Sequence, residues 1–258
     1  MPRAKERPTL LVFTRGAERE TRRRRLLPPR LASLELALHH RCLEATLTAG
    51  RTAGCALAMS SPCRSTHEDV IRLPQRHGTF GDRLRAAMRQ AHALGTGPVL
   101  VVGTDTPRLE ARHLRTAIDR LEAEPDSVVV GPAPDGGIYL LASHRPLDGI
   151  LAGVPWRRRD TIDSLLAALA AAGLRVCLLE PLADLDRPQD LARWASGRAV
   201  GIAGIDSITG FAREWLPIVE LVRRALLALR RLAVPAVIGR TQGCVVALPT
   251  GRAPPRFL

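Results

Sequence analysis

Short apolar runs alternate with longer stretches of helical periodicity along most of this chain. Thr9–Phe13, Cys55–Met59, Pro98–Gly103, Ser127–Val130 and Leu174–Leu179 carry little polar alternation, the pattern of strands covered on both faces. Between them, Arg30–Ala49, Gly81–Leu94, Glu110–Ala123 and Thr161–Ala171 read as helices, with Gly50, Gly95 and Gly173 where helix C-caps belong. A turn at Pro134-Asp135-Gly136-Gly137 leads into one further strand, Ile138–Ser143. Strands alternating with helices call for a parallel sheet with right-handed crossovers. The predicted class is α/β, a Rossmann-like, mostly parallel sheet flanked by helices, over residues 1–198.

The pattern changes beyond about Ala199. Ile218–Val234 is a helical run whose arginine pairs, Arg223/Arg224 and Arg230/Arg231, fall on nearly one face, and Pro235 ends it. Residues 199–258 are therefore set apart as a C-terminal helical extension of unassigned role. A basic amphipathic helix either lies on an anionic membrane or packs its leucines on its own domain or a partner subunit. Packing is the favoured reading, and it makes this helix a candidate contact for a homo-oligomer.

Composition narrows the class. The only apolar stretch near the charged start is Leu10–Phe13, too short for a signal peptide or a membrane span. The five cysteines are odd in number and include no CxxC pair, against a disulfide framework or a zinc ribbon. A reducing cytoplasm is the expected location. The net charge is +13 and Lys5 is the only lysine, so the basicity is arginine, the side chain best shaped for phosphate. Those arginines are spread along the chain rather than gathered in one stripe. With 3% aromatic residues there is little for base stacking, and no nucleic-acid module is recognisable, so no specific nucleic-acid partner is expected. The histidines form no metal spacing.

In an open α/β sheet, ligands bind beyond the carboxyl ends of the strands. After Val99–Val102 comes Gly103-Thr104-Asp105-Thr106-Pro107. Gly103 lets the backbone turn closely, and Asp105 offers a carboxylate at the sheet edge. Such a carboxylate either holds Mg²⁺ or Mn²⁺ with help from substrate phosphates, or merely caps a helix. After Ser127–Val130 comes Asp135-Gly136-Gly137, a plain hairpin turn or one opened by two glycines for a ligand's approach. Asp184-Leu185-Asp186 follows the strand at Leu174–Leu179, and one carboxylate of that pair is expected to reach a metal. Three acidic turns, each just past a buried strand, are hard to explain as three independent caps.

These turns sit within a longer series. Phe13…Arg23-Arg24-Arg25-Leu26…Pro28 is followed by Gln75-Arg76-His77-Gly78-Thr79-Phe80-Gly81-Asp82-Arg83-Leu84, then by Gly103-Thr104-Asp105-Thr106-Pro107. Gly131-Pro132-Ala133-Pro134-Asp135-Gly136-Gly137-Ile138-Tyr139-Leu140-Leu141, Pro155-Trp156 and Asp184-Leu185-Asp186-Arg187-Pro188-Gln189-Asp190-Leu191 complete it. In order and spacing, over about residues 8–196, the series resembles the bacterial DUF2064 family of GT-A-fold glycosyltransferase-like proteins. That family is related in fold to molybdenum-cofactor guanylyltransferases and other nucleotidyltransferases.

The resemblance implies a nucleotide-diphospho-sugar transferase fold with a Mg²⁺ or Mn²⁺ site on Asp105, and Asp186 as the second carboxylate. It puts Arg25 and Arg23 by the diphosphate, and Gln75, Gly78 and Arg83 in support of the nucleotide pocket. Asp135, Gly136 and Gly137 would face the sugar or acceptor, with Asp135 the candidate general base and Trp156 lining the acceptor pocket. Three departures stand out. Glu20 lies near a usual glycine, and Arg23-Arg24-Arg25-Leu26 replaces Lys-Thr-Arg-Leu. Pro134 and Ile138 replace an acidic residue and a tyrosine, and Arg187 a threonine. The leading expectation is metal-dependent transfer of a sugar from a nucleotide diphosphosugar to an unknown acceptor. The alternatives are a nucleotidyltransferase acting on a phosphorylated small molecule, and a catalytically degenerate basic binding protein.

Overall fold

The structure is a computed structural model and describes residues 7–63, 67–196 and 210–232. Its centre is a seven-stranded sheet in the order β3-β2-β1-β4-β6-β5-β7. The strands are β1 (Thr9–Phe13), β2 (Ala56–Ser61), β3 (Val70–Pro74), β4 (Val99–Val102), β5 (Val128–Pro132), β6 (Ile138–Ser143) and β7 (Val176–Leu178). β1 pairs in parallel with both β2 and β4, β2 with β3, and β5 with β7, while β6 runs antiparallel between β4 and β5. The mostly parallel sheet expected from the sequence is present, and the turn at residues 134–137 makes the β5–β6 hairpin.

The continuous apolar runs have a direct cause. Successive side chains of a strand point to opposite faces, and here both faces are covered. Leu10, Val12, Leu100, Val102 and Val129 pack on one side with Leu47 of α2 (Ala32–Thr52) and Leu114, Ala117, Ile118 and Leu121 of α4 (Ala111–Ala123). Leu11, Val99, Val101, Val128 and Val130 pack on the other. Their partners there are Leu84, Ala87, Met88 and Ala91 of α3 (Phe80–His92), with Leu165 and Leu169 of α6 (Thr161–Ala171). Gly50 is not the cap of α2, which runs on to Thr52. A Cβ there would lie 2.5 Å from Leu10 Cδ2 and 2.7 Å from Leu57 Cδ2, so the glycine lets helix and sheet meet closely. Gly173, with φ +69°, does follow the end of α6 in the left-handed conformation.

The remaining helices are α1 (Ala17–Arg24), α5 (Asp148–Ala152), α7 (Pro188–Ala195) and α8 (Gly210–Leu232), with a 3₁₀ turn at Pro29–Leu31 before α2. A third apolar cluster joins Leu26 and Leu27 to Leu38 and Cys42 of α2, Leu185, Leu191 of α7, and Trp215 and Val222 of α8. Trp194 meets Trp215 edge-on at 5.3 Å, and the Arg223 guanidinium donates to the Ala195 carbonyl at the end of α7. The basic helix thus packs on its own chain along these residues. It starts earlier than the sequence suggests, at Gly210, and carries Pro217 within it; Pro235 lies outside the described residues. No helix among the described residues is long and apolar enough to cross a membrane.

Candidate active site

The parallel strands deliver their carboxyl ends to one edge, where a cleft of about 300 Å³ opens. Asp105 reaches it because Gly103 has no side chain. A Cβ on Gly103 would lie 2.6 Å from Asp105 Oδ1, so a side chain there would push the carboxylate from its place over the end of β4. The chain leaving β7 tracks β5 through Leu179 N–H to the Val130 carbonyl (3.0 Å) and Leu182 N–H to the Pro132 carbonyl (3.1 Å). It then fastens onto the Asp105 loop by Leu185 N–H donating to the Asp105 carbonyl at 2.8 Å. Leu185 turns inward and is 3% exposed. Asp184 and Asp186, on either side of it, both turn to the cleft.

Carboxylate oxygens of Asp105, Asp184 and Asp186 consequently lie within 4.8 Å of one another. The expectation that one of the Asp184/Asp186 pair would reach this point is corrected. In an extended segment residues two apart share a side, and the buried residue between them takes the other. Burial and the charges of Asp105, Asp186 and Asp135 push the Asp184 carboxyl up to about 8. Asp186 is raised by burial, against the pull of Arg24. Asp105 is also buried, but Arg24 outweighs that burial and holds it below the usual carboxylate range.

Arg24 was not among the expected site residues, yet it lies at the centre of the cluster. Its Nη2 is 2.6 Å from Asp105 Oδ2, its Nη1 is 2.7 Å from Asp186 Oδ1 and from the Leu185 carbonyl, and its Nε is 3.1 Å from Glu20 Oε2. Burial alone would lower its pKa, but these three carboxylates raise it. Glu20 and Arg24 stand one helical turn apart on α1, which fixes their common face. Arg25 is a correction. It ends α1 in the left-handed conformation (φ 49°), is exposed, and does not line the cleft.

The other expected residues divide. Arg23, Gly103, Asp135, Gly137 and Trp156 line the cleft with Asp105 and Asp186; Gln75, Gly78, Arg83 and Gly136 do not. Gln75 Nε2 donates to the Thr14 and Ser60 carbonyls, each at 3.2 Å, and accepts from Arg83 Nη1 at 2.8 Å. The pair therefore ties the ends of β1 and β2 to α3 from behind the cleft. Gly78 (φ +122°) leads into the Thr79 cap of α3. Gly136 (φ +91°) is pressed against the Arg159 backbone, where any side chain would collide, so its smallness serves the protein's own packing rather than a ligand. Asp135 accepts from Gly137 N–H at 2.9 Å and holds its carboxylate at the mouth.

Aromatic and basic side chains complete the walls. Phe80 meets Phe13 edge-on at 5.4 Å and Trp156 at a tilt at 5.6 Å, and Trp156 Nε1 donates to the Leu151 carbonyl. Arg15, Arg23 and the run Arg157–Arg159 line the same cleft as the acids. Burial lowers the pKa of Arg157, and the charges of Arg23 and Arg15 lower it further. Arginines that repel one another across a cavity make a ready receptor for a polyanion. The three consecutive arginines after Trp156 are a signal that a reading centred on the acidic turns passed over.

A family model described as "Uncharacterized protein conserved in bacteria (DUF2064)" matches residues 34–158. The DUF2064 match contains Asp105, Asp135 and Trp156, whereas Arg24, Asp184 and Asp186 lie outside it. A protein of Desulfovibrio desulfuricans G20, provisionally named a nucleotide-diphospho-sugar transferase, aligns with 83% of this chain and 97% of its own at 18% identity and TM-score 0.64. Rv0371c of Mycobacterium tuberculosis H37Rv aligns with 74% of this chain and 97% of its own at 20% identity and TM-score 0.46. The mannosyltransferase PcManGT of Pyrobaculum calidifontis, solved with GDP-Man and Mn²⁺, aligns with 92% of this chain and 78% of its own at 16% identity and TM-score 0.45. No curated protein matches the chain. At 18% identity and TM-score 0.64 the first likeness shows a shared fold and nothing beyond it.

Proposed function

We propose that the chain is a transferase that binds a nucleotide diphosphosugar in this cleft and passes the sugar to an acceptor hydroxyl. The observation that carries the reading is the charge of one cavity: three converging carboxylates and several arginines line it together. A diphosphate accompanied by a divalent cation would satisfy both sets of charges at once. The donors suit Mg²⁺ or Mn²⁺, being three hard carboxylate oxygens in a small volume. The crowding of acids agrees, since burial and the charges of Asp105, Asp186 and Asp135 together drive Asp184 up. Asp105, Asp184 and Asp186 would hold the ion, which when bound supplies charge neutralisation on the departing nucleotide.

The remaining steps belong to the chain's own side chains. Arg23, Arg15 and Arg157 hold the phosphate oxygens by charge-assisted hydrogen bonds and stabilise the charge that develops there. The Phe80–Trp156 floor excludes water beneath the sugar. Asp135, fixed by Gly137 N–H, takes the proton of the acceptor hydroxyl as its oxygen bonds to the anomeric carbon. The sugar–phosphate bond breaks with its electron pair leaving on the nucleoside diphosphate.

A transferase domain over residues 1–198 with an extension over 199–258 is part of this proposal, as is a cytoplasmic location. The described cysteines, Cys42, Cys55, Cys63 and Cys177, are free thiols, which suits a reducing compartment. The test is thermal unfolding against a panel of nucleotides and nucleotide sugars with and without Mn²⁺, on wild type and Asp105→Ala. A ligand at a hundred times its Kd adds about 2.7 kcal/mol, roughly 5–10 °C in a domain of this size. The expected result is a Mn²⁺-dependent shift with a nucleotide sugar, absent in the variant, and release of nucleoside diphosphate on turnover. Pyrophosphate release would instead identify nucleotidyl transfer. No shift with any ligand, from folded protein, would leave a degenerate basic binding protein.

A further inference from the structure

The acid cluster already holds a cation of the protein's own. The Arg24 guanidinium lies between Asp105 and Asp186, all three of its nitrogens are engaged, and the side chain is 10% exposed. A divalent ion bonded to those carboxylates at about 2.0–2.1 Å would lie beside the positive charge of the guanidinium. Ion and guanidinium cannot hold the same oxygens together. Resting on the reading of the cleft as a diphosphate site, we propose that Arg24 is a specificity-determining residue. It keeps the carboxylates closed to a free divalent cation and opens them to one that arrives with a diphosphate.

The geometry supplies the reason. Arg24 Nε is bonded to Glu20 on its own helix at 3.1 Å, and the guanidinium is a rigid planar fork, so its nitrogens leave the carboxylates together as the side chain swings. If they leave Asp105 and Asp186 for solvent, two charge-assisted bonds are exchanged for weaker ones to water. If a diphosphate lies along the Arg15, Arg23 and Arg157 wall of the same cavity, the released guanidinium finds anionic oxygens within the cleft. Cation and diphosphate therefore strengthen each other's binding, and the coupling is reciprocal. Arg24 donates to carboxylates in the free protein and to phosphate in the loaded one.

The experiment is Mn²⁺ binding to the full chain, followed by the electron paramagnetic resonance of the free ion. Wild type, Arg24→Gln and Arg24→Lys are measured with and without inorganic pyrophosphate. For Mn²⁺ alone, Arg24→Gln is expected to bind roughly tenfold tighter than wild type, within the usual range of coupling between sites. Arg24→Lys, which keeps the charge, should stay weak. With pyrophosphate, wild-type affinity should rise by a similar factor and Arg24→Gln should gain little. An Arg24→Gln protein that binds free Mn²⁺ no tighter than wild type overturns the proposal. Should that variant fail to fold, wild type decides alone: equal Mn²⁺ affinity with and without pyrophosphate is the refuting result. Pyrophosphate that binds neither protein, seen as no thermal shift, rejects the diphosphate reading. In that case the comparison for Mn²⁺ alone still judges the exclusion by Arg24.

Discussion

Glu35 offers the sharpest test of how the site is held. It lies in the first turn of α2, is 1% exposed, and its two carboxylate oxygens accept Leu26 N–H at 3.0 Å and Leu27 N–H at 2.9 Å. Those leucines follow the left-handed Arg25 that ends α1, so Glu35 pins the segment behind Arg24. Glu35→Ala leaves two buried N–H groups without an acceptor at about 1–3 kcal/mol each, for a loss on the order of 4 kcal/mol. In a domain of this size that is roughly 8–16 °C in Tm. Glu35→Gln keeps the shape and one acceptor oxygen but turns an NH₂ group toward the second N–H, so about half the loss is expected. Urea unfolding of the two variants, with unchanged slope, reads the pair. An Ala variant that loses under about 1 kcal/mol, or a Gln variant equal to wild type, would show that the loop is held by something other than this carboxylate.

Two further predictions concern the loops around the cleft. Gly136→Ala forces a side chain into a φ of +91° and into the Arg159 carbonyl, so a loss of at least about 2 kcal/mol is expected on thermal unfolding; a change under about 0.5 kcal/mol would mean that the loop relaxes freely. Asp184 sits at about 8 when folded against an ordinary 3.8, so between those pH values the folded chain keeps a proton that the unfolded chain releases. Wild-type stability therefore falls as pH rises through that window. Asp184→Asn removes this contribution, and its urea midpoint should gain on wild type between pH 5 and pH 8 without divalent cations; identical pH slopes would sink the assignment.

The strands were legible because burial on both faces leaves continuous apolar runs, and the turns after them because ligand sites gather at strand ends. β3 escaped notice for the opposite reason. It is an edge strand, with Val70 and Leu73 buried but Ile71 exposed and Arg72 between them. α1 was invisible to apolar periodicity because it has almost no apolar face, and of its residues only Ala17 and Glu20 are buried. An ionic contact fixes it, and hydrophobic patterning carries no trace of one. In the site, single carboxylates were easier to find than their partners. Asp105 is announced by the strand before it, whereas Arg24 depends on three segments far apart in sequence.

The arginine run shows how that ambiguity resolves. Residues 22–25 are four identical side chains, and composition assigns them one role, contact with phosphate. Helical period separates them. Glu20 is buried against the acid cluster, and a residue four positions on shares its face, so Arg24 turns inward to Asp105 and Asp186. Arg23, about 100° around the helix, faces the cleft and remains available to a ligand. Arg25 lies past the last turn, where the left-handed backbone and the hold of Glu35 on Leu26 and Leu27 send it to solvent. Register thus decides which arginine meets the carboxylates, and that register is set at two points, Glu20 before the run and Glu35 beyond it. Loosening either should blur the distinction between the resident cation and the ligand-facing one, so the stability loss at Glu35 and the Mn²⁺ affinity set by Arg24 ought to change together.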